Sequence, residues 1–228
     1  MEIVSCPCVQ VQKMKNSITQ NRAQTRIKAL FKWGLIAAFT CSGIYLGTNE
    51  IAAQRTSFYQ LYFEFEREIP MVPWMIHVYN SFHVLLLLNF LIIKNPLKIR
   101  AIAIGLIASS AIASVFFLLF PAELGFSRTE NMVGYEFWYD ALHWLDHPHN
   151  LVPSLHITFS ALSAYVISTE ISSGFLKLIF LLWFLLICSS IVLVHQHHLL
   201  DIFTGFVLAI LIKFAVYDKL ILTENSES

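Results

Sequence analysis

Six apolar stretches, each long enough to cross a bilayer, constrain the fold of this chain more than any other feature. They are Leu30–Leu46, Pro73–Ile93, Ala101–Phe120, Leu151–Thr169, Phe175–Val194 and Leu199–Tyr217. A spanning helix needs about 20 apolar residues, because the hydrocarbon core is about 30 Å thick and a helix rises about 1.5 Å per residue. Only 13% of the residues are charged, against about a quarter in soluble domains. We therefore predict an all-α integral membrane bundle of six transmembrane helices.

The predicted membrane domain covers residues 29–220 and is flanked by polar segments. Residues 1–28 and 221–228 show no apolar period, which is typical of flexible tails. The formal net charge is zero, from 15 Lys and Arg against 15 Asp and Glu, so a nucleic-acid-binding surface is not supported. The four cysteines have no regular spacing, and no disulfide framework is predicted. The oligomeric state is not indicated.

Lysine and arginine are distributed unevenly between the two predicted sides of the bundle. Twelve of the fifteen lie on the side of the chain termini, and only Arg55, Arg67 and Arg128 lie in the alternate loops. An excess of Lys and Arg marks the cytoplasmic loops of membrane proteins. We therefore predict a bacterial inner-membrane protein with both termini in the cytoplasm. The loop 121–150 then faces the periplasm, or a lumen in a eukaryotic host.

Histidine is concentrated in one part of the chain, with seven of the nine between His143 and His198. The first of two notable strings, Asn-Leu-Val-Pro-Ser-Leu-His at 150–156, opens the fourth apolar stretch. Pro153 suits a first helical turn, and the free N–H groups that follow it form an anion site. Ser154 adds a hydroxyl donor and His156 an imidazole in the same turn.

The second string, Gln-His-His-Leu-Leu-Asp at 196–201, opens the sixth stretch. His197 and Asp201 are four residues apart, hence on one face of a helix and close enough for a hydrogen bond. A carboxylate so placed fixes the imidazole tautomer and leaves the other ring nitrogen free as a base or nucleophile. Both strings emerge at the same predicted outer face, where ionisable residues are costly and usually functional. They predict one catalytic site at that face.

The two strings, together with Gly205, resemble motifs of the type 2 phosphatidic acid phosphatase (PAP2) superfamily, whose members share a six-helix membrane core. The sequence pattern Asn-x-x-Pro-Ser-Leu-His is most similar to that of the branch that includes the inositol phosphorylceramide and sphingomyelin synthases. The resemblance covers roughly residues 70–215, and the motifs lie within 121–205.

The resemblance implies a role for each motif residue. His197 attacks phosphorus to form a phosphohistidine, Asp201 orients it, His156 protonates the leaving oxygen, and Ser154 binds phosphate oxygens. The lysine and arginine-proline pair of the usual first motif are absent, and Ile191 stands where an arginine is often found. We assign the phosphate clamp to Arg128, because a phosphoryl dianion needs at least one guanidinium-like partner. No metal and no cofactor is implied.

The acceptor of the phosphoryl group decides the reaction that such a site performs. Water makes the protein a lipid phosphatase, and an alcohol makes it a phosphotransferase, including a head-group transferase of the phosphosphingolipid synthase kind. The expected partners are a lipid phosphate or phospholipid substrate and the surrounding membrane lipids.

An alternative of another class uses the histidines as metal ligands. A histidine-rich metal-binding membrane protein or a di-iron lipid hydroxylase would collect a transition metal on such side chains. The hydroxylase is disfavoured because its clusters are expected on the cytoplasmic side. Five histidines have no role assigned from the sequence: His143, His147, His149, His195 and His198.

Overall fold

The computed structural model describes residues 7–128 and 132–226, and within these ranges the chain is helical with no strand. Its helices are α1 (Pro7–Ala53), α2 (Ile76–Asn80), α3 (Phe82–Ile92), α4 (Pro96–Leu119), α5 (Glu136–Leu145), α6 (Leu155–Glu170), α7 (Gly174–Leu193), α8 (Leu199–Ile212) and α9 (Asp218–Ser226). Short 3₁₀ turns at Glu64–Glu68 and Pro73–Met75 precede α2, and a π-helical turn at Lys213–Tyr217 joins α8 to α9. The prediction of an all-α chain is confirmed.

Five helical segments within the described ranges are long and apolar enough to cross a membrane. They are Thr19–Ala53, Pro73–Ile92, Pro96–Leu119, Gly174–Leu193 and Leu199–Thr223. Each contains most of one predicted stretch, and their number indicates a multi-pass membrane protein. The fourth predicted stretch forms α6, whose 16 residues are about 24 Å long. A sixth span therefore remains a prediction.

The two segments predicted as tails are more regular than expected. Helix α1 begins at Pro7 and includes most of residues 1–28, while α9 includes residues 221–226. Residues 1–6 and 227–228 lie outside the described residues. The physical reason is that neither glycine nor proline, the residues that most disfavour a helix interior, occurs between Cys8 and Trp33. The helix therefore continues although residues 19–25 are exposed and make no core.

Helix α6 lies at the centre of the bundle, in contact with α3, α4, α7 and α8. Its buried side chains Leu162 and Val166 belong to a core that includes Leu85 of α3, Ile102 of α4 and Leu208 of α8. Helix α1 packs along α4. By contrast, many large apolar residues of α7 are exposed, as expected for a helix that faces lipid.

One end of the bundle, called here the site end, is where α1 ends and α6 and α8 begin. Two loops cover it and are hydrogen-bonded to each other: the Tyr59 N–H donates to the Pro121 carbonyl at 2.8 Å and the Glu123 N–H to the Tyr59 carbonyl at 2.9 Å. The Ala122 N–H donates to the His149 carbonyl at 3.0 Å. These bonds fix the segments before α2 and after α4 above the starts of α6 and α8.

Candidate active site

The pair formed by His197 and Asp201 lies at the start of α8. The helix begins at Leu199, so His197 precedes it, whereas the four-residue spacing predicted that both residues lie on one helix face. Asp201 is the third residue of α8, and its Oδ2 accepts hydrogen bonds from the His198 N–H at 2.8 Å and from His197 Nδ1 at 3.0 Å. The carboxylate thus caps the helix and holds the imidazole. Because Nδ1 carries the proton, Nε2 of His197 keeps its lone pair.

Ser154 is the N-cap of α6 and lies against the same imidazole. Its Oγ accepts a hydrogen bond from the Ile157 N–H at 3.4 Å and is 3.5 Å from His197 Nε2. Pro153 lies before this cap, outside the helix, although the sequence predicted it in the first turn. The hydroxyl and the beginning of α6 therefore point to the free nitrogen of His197. Partial positive charge at a helix N-terminus favours an anion there.

Close packing of α6 on α8 brings the two motifs together. The Ser154 N–H donates to the Asp201 carbonyl at 3.2 Å, and the Thr158 hydroxyl donates to the carbonyls of Ser154 and Gly205, both at 2.9 Å. A Cβ at Gly205 would lie 2.6 Å from the Ser154 carbonyl oxygen and 3.0 Å from Ile157 Cβ. Only glycine permits this approach of the two backbones.

His156 faces His197 across the site, with 5.7 Å between the ring centroids. Its ring packs against two aromatic side chains, with centroid distances of 4.5 Å to Tyr79 and 4.2 Å to Phe82. It also lines a cavity of about 1140 Å³. The structure thus places both sequence-predicted histidines at one site, one paired with a carboxylate and the other in an aromatic setting beside a cavity.

Arg128 lies in the loop between α4 and α5 and is hydrogen-bonded to the C-terminal end of α5. Its Nη2 donates to the Asp146 carbonyl at 2.6 Å and its Nη1 to the His143 carbonyl at 3.4 Å. Nε is buried and has no hydrogen-bond partner among the described residues. Burial lowers the pKa of Arg128, and the charge of Asp146 acts in the opposite direction. The two Nη nitrogens of Arg128 thus donate to protein carbonyls, whereas its Nε–H has no such partner among the described residues.

Three further polar residues line the site, and the sequence analysis missed them. Tyr45 of α1 donates from its hydroxyl to Asp146 Oδ1 at 2.5 Å. Burial raises the pKa of Asp146, while the Tyr45 hydrogen bond and the charges of His197 and Arg128 lower it. The Tyr79 hydroxyl is buried without a partner among the described residues. No sequence signal links these residues, because Tyr45 and Asp146 are 101 positions apart, Tyr79 lies between them in the chain, and the three meet only through tertiary packing.

A second carboxylate–histidine pair supports the loop above the site. Glu66 Oε2 lies 3.0 Å from His198 Nδ1, and both side chains are buried. The Leu199 N–H donates to Glu66 Oε1 at 2.8 Å, and the Gly125 N–H donates to His198 Nε2 at 3.2 Å. The segment Thr56–Glu68, whose alternating aromatic and charged residues predict an interfacial segment, thus contributes a buried acid that joins the Arg128 loop to the start of α8. Glu66 was missed because alternating aromatics and charges predict a surface segment.

The other clustered histidines contact protein groups that differ from one another. Their partners are the Ala122 carbonyl for His149 at 3.0 Å, the Ile69 carbonyl for His195 at 2.9 Å and Glu50 for His147 at 3.3 Å. Within residues 7–128 and 132–226, no group of three or more His, Cys, Asp and Glu side chains is arranged to hold a metal ion.

Comparison with known proteins gives one family and no individual relative. The family model described as the PAP2 superfamily matches residues 58–215. No curated protein and no solved structure matches the chain significantly. The matched range contains all five sequence-predicted site residues: Arg128, Ser154, His156, His197 and Asp201.

Proposed function

The chain belongs to the PAP2 superfamily, and from that premise we propose that it is a membrane-embedded phosphatase or phosphotransferase acting on a lipid phosphate ester through a phosphohistidine. The observation that carries the proposal is the state of His197. Its Nδ1 is bonded to Asp201, and its Nε2 faces Ser154 at 3.5 Å and the His156 ring across the site. An imidazole held in this way is an oriented nucleophile with a free lone pair.

In the first step, His197 Nε2 attacks phosphorus and the bond from phosphorus to the leaving oxygen breaks. The bond electrons go to that oxygen, which takes a proton from His156 and leaves as an alcohol. Asp201 stabilises the positive charge that develops on the His197 ring. General acid assistance of this kind contributes about 10²- to 10⁴-fold.

In the second step, His156 accepts a proton from the acceptor while the acceptor oxygen attacks phosphorus. The phosphorus–nitrogen bond breaks, and its electrons return to His197 Nε2. Water as the acceptor releases phosphate, and a lipid or sugar alcohol forms a new phosphate ester. Both histidines end in their starting protonation states, so the cycle is closed with no co-reactant beyond the acceptor.

Charge on the non-bridging phosphate oxygens is stabilised by the Ser154 hydroxyl, the N-terminus of α6 and Arg128. Preorganised donors of this kind act strongly in a site from which water is excluded. Arg128 contributes through its Nε, which has no partner among the described residues, and through its charge.

A head-group transferase is the second candidate, and the environment of Ile191 favours it. Ile191 occupies the position where the family often has an arginine, and it is fully buried. The site therefore has fewer cationic clamps than a strong monoester phosphatase. A phosphodiester carries one negative charge on its phosphate and a monoester two, so fewer cations suit a diester such as a phospholipid. This supports a place in the synthase-like branch.

The orientation of the site rests on the charge bias. The side that carries 12 of the 15 Lys and Arg residues is the one away from the site end, which places both termini in the cytoplasm. We place α6 as a sixth, central crossing and the site end at the periplasmic face of a bacterial inner membrane. Labelling from outside intact cells of a cysteine introduced at Ser127 tests this orientation.

Replacement of His156 by alanine is expected to separate the two chemical steps. With an alkyl 4-nitrophenyl phosphate, the leaving nitrophenolate needs no proton, so the variant forms the phosphohistidine once and then stops for lack of a base. The measurement is a burst of nitrophenolate equal to the amount of enzyme, without turnover. Full turnover in this variant contradicts the role of His156.

A separate experiment identifies the acceptor. Wild-type protein is assayed with a panel of lipids for both phosphate release and head-group transfer.

Replacement of Arg128 by alanine is expected to raise KM for an anionic lipid about 10- to 100-fold, because a charge-assisted hydrogen bond contributes about 1.5–3 kcal/mol. Arg55, an exposed arginine of another loop, provides the matched control Arg55→Ala. Steady-state kinetics and the melting temperature are measured together, since Arg128 also ties two carbonyls of the covering loop. Unchanged KM with lowered stability would assign Arg128 to the loop alone.

A further inference from the structure

A long apolar groove extends from the active site toward the opposite end of the bundle. We call it the α1–α3 groove. It has a volume of about 1140 Å³, and α1 and α3 contribute most of its wall, with further residues from α4, α5 and α6. Residues that mark its course are Gly34, Cys41, Tyr45, Phe90, Leu106 and His156. Apart from the site end, the wall is formed mainly by apolar side chains.

The two ends of the groove differ in chemistry. At the site end its wall includes His156, Tyr79 and Asp146, which belong to the active site. At the opposite end Gly34 of α1 approaches Phe90 of α3, whose ring carbon lies 3.8 Å from the position of a Cβ on that glycine. The groove is therefore continuous with the catalytic groups at one end and narrows to apolar side chains at the other.

Arg26 closes the region beyond the narrow end. Its guanidinium reaches from α1 to the end of α3 and donates to the carbonyls of Leu91 and Ile93, the latter from Nε at 2.9 Å. A charged group bonded to two backbone carbonyls is a poor surface for a methylene chain. The groove thus has a defined far limit.

The length of the groove follows from the helix that forms its wall. Leu30 and Tyr45 both line it, and at a rise of about 1.5 Å per residue they are about 22 Å apart along α1. One leaflet contributes half of the hydrocarbon core, about 15 Å. A chain that fills the groove from His156 therefore extends beyond the middle of the bilayer.

We propose that the α1–α3 groove binds the hydrocarbon chain of the leaving alcohol and limits the length of the chain that is accepted. This rests on the proposed function, in which His156 protonates the oxygen of that alcohol. Since His156 is part of the groove wall, the leaving oxygen lies at the groove mouth and its chain continues along α1. The substrate class is a phosphate ester of a single long-chain or long-armed lipid alcohol, with Gly34 at the far end of the chain.

The groove selects by shape and not by hydrophobic free energy. A chain that leaves the bilayer for the groove exchanges one apolar environment for another, so its transfer contributes little. A side chain added at the narrow end, however, shifts a long hydrocarbon chain along the groove or displaces it from the groove. Overpacking of this kind costs enough to change relative rates about tenfold or more, while a short chain does not reach the obstruction.

The experiment compares wild type, Gly34→Leu and the control Gly43→Leu in lipid nanodiscs. Gly43 lies on the same helix, and a Cβ there meets nothing within 4 Å. Octyl and octadecyl phosphates, in which the alkanol is the leaving group, are the substrates, and the measured quantity is the ratio of their kcat/KM values for release of the alkanol. We expect Gly34→Leu to lower the octadecyl-to-octyl ratio about tenfold and Gly43→Leu to leave it unchanged. An equal effect of Gly34→Leu on both substrates would overturn the proposal.

A binding measurement separates failure of the groove from failure of the proposed function. Octyl and octadecyl phosphonates, which carry no leaving group, are titrated into the same three proteins by calorimetry. Weakened octadecyl phosphonate binding in Gly34→Leu alone supports the groove even if wild-type protein turns over no ester. If the three proteins bind octadecyl phosphonate equally well, or none of them binds it, the groove is not the chain site, whatever the activity.

Discussion

Replacement of His197 by alanine is expected to lower turnover of a lipid phosphate ester by about 10³-fold or more, because removal of a covalent nucleophile removes the reaction path itself. The fold should survive the change. Within the described residues the His197 side chain is bonded to Asp201 and Ser154, and the Asp201 carboxylate keeps its hydrogen bond from the His198 N–H. The loss therefore reports on chemistry and not on unfolding.

The measurement for His197→Ala is steady-state turnover together with labelling by a lipid ester carrying radioactive phosphate. The matched control is His147→Ala, because His147 lies in the segment between α5 and α6, pairs with Glu50 at 3.3 Å and is 38% exposed. The control should retain both activity and label. Substantial turnover by His197→Ala would exclude the phosphohistidine mechanism.

Replacement of Gly205 by alanine is expected to reduce activity about 10- to 100-fold, although Gly205 carries no functional group. The added methyl would lie 2.6 Å from the Ser154 carbonyl oxygen, so α6 and α8 must separate. Such overpacking costs about 1–3 kcal/mol of stability. It also moves Ser154 and His156 relative to His197, and a displacement of about 1 Å in an active site costs on the order of 10²-fold in rate.

Gly47→Ala is the control for Gly205→Ala. Gly47 is in a helix, and a Cβ there meets nothing within 4 Å, so the control receives the same gain in helix propensity, about 1 kcal/mol, without the contact. Thermal unfolding and kcat/KM are measured for both variants. Normal activity with normal stability in Gly205→Ala would mean that the spacing of α6 and α8 is not critical.

The elements of the fold that the sequence predicted well are those with a local cause. A continuous apolar run indicates a membrane helix because the bilayer thickness sets its length, and five such helices are present in the described ranges. Helix ends were less predictable. Pro153 lies outside α6, and α1 begins as early as Pro7. The end of a helix is set by its capping residues and by the presence or absence of helix-breaking residues, and hydropathy does not report on either.

Parts of the site that depend on distant segments were not predictable. His197 and Asp201 are close in sequence, and their contact requires only the cap of one helix. Glu66 reaches His198 across 132 positions, and the interfacial pattern of its own segment predicted exposure. The Tyr45 hydroxyl meets Asp146 across 101 positions. Neither pair leaves a periodic trace in the sequence, because each partner comes from a different helix or loop.

The sequence by itself determined the helical membrane class, the two motifs and the family resemblance, since each depends on hydropathy or on residue spacing within a few turns. The tertiary structure alone decided which groups surround the motifs: Glu66 of the segment before α2, which reaches His198, Tyr45 and Asp146, which line the α1–α3 groove together with His156, and the groove itself, which extends past Gly34. The physical reason is that these groups are positioned by the packing of helices and loops far apart in sequence.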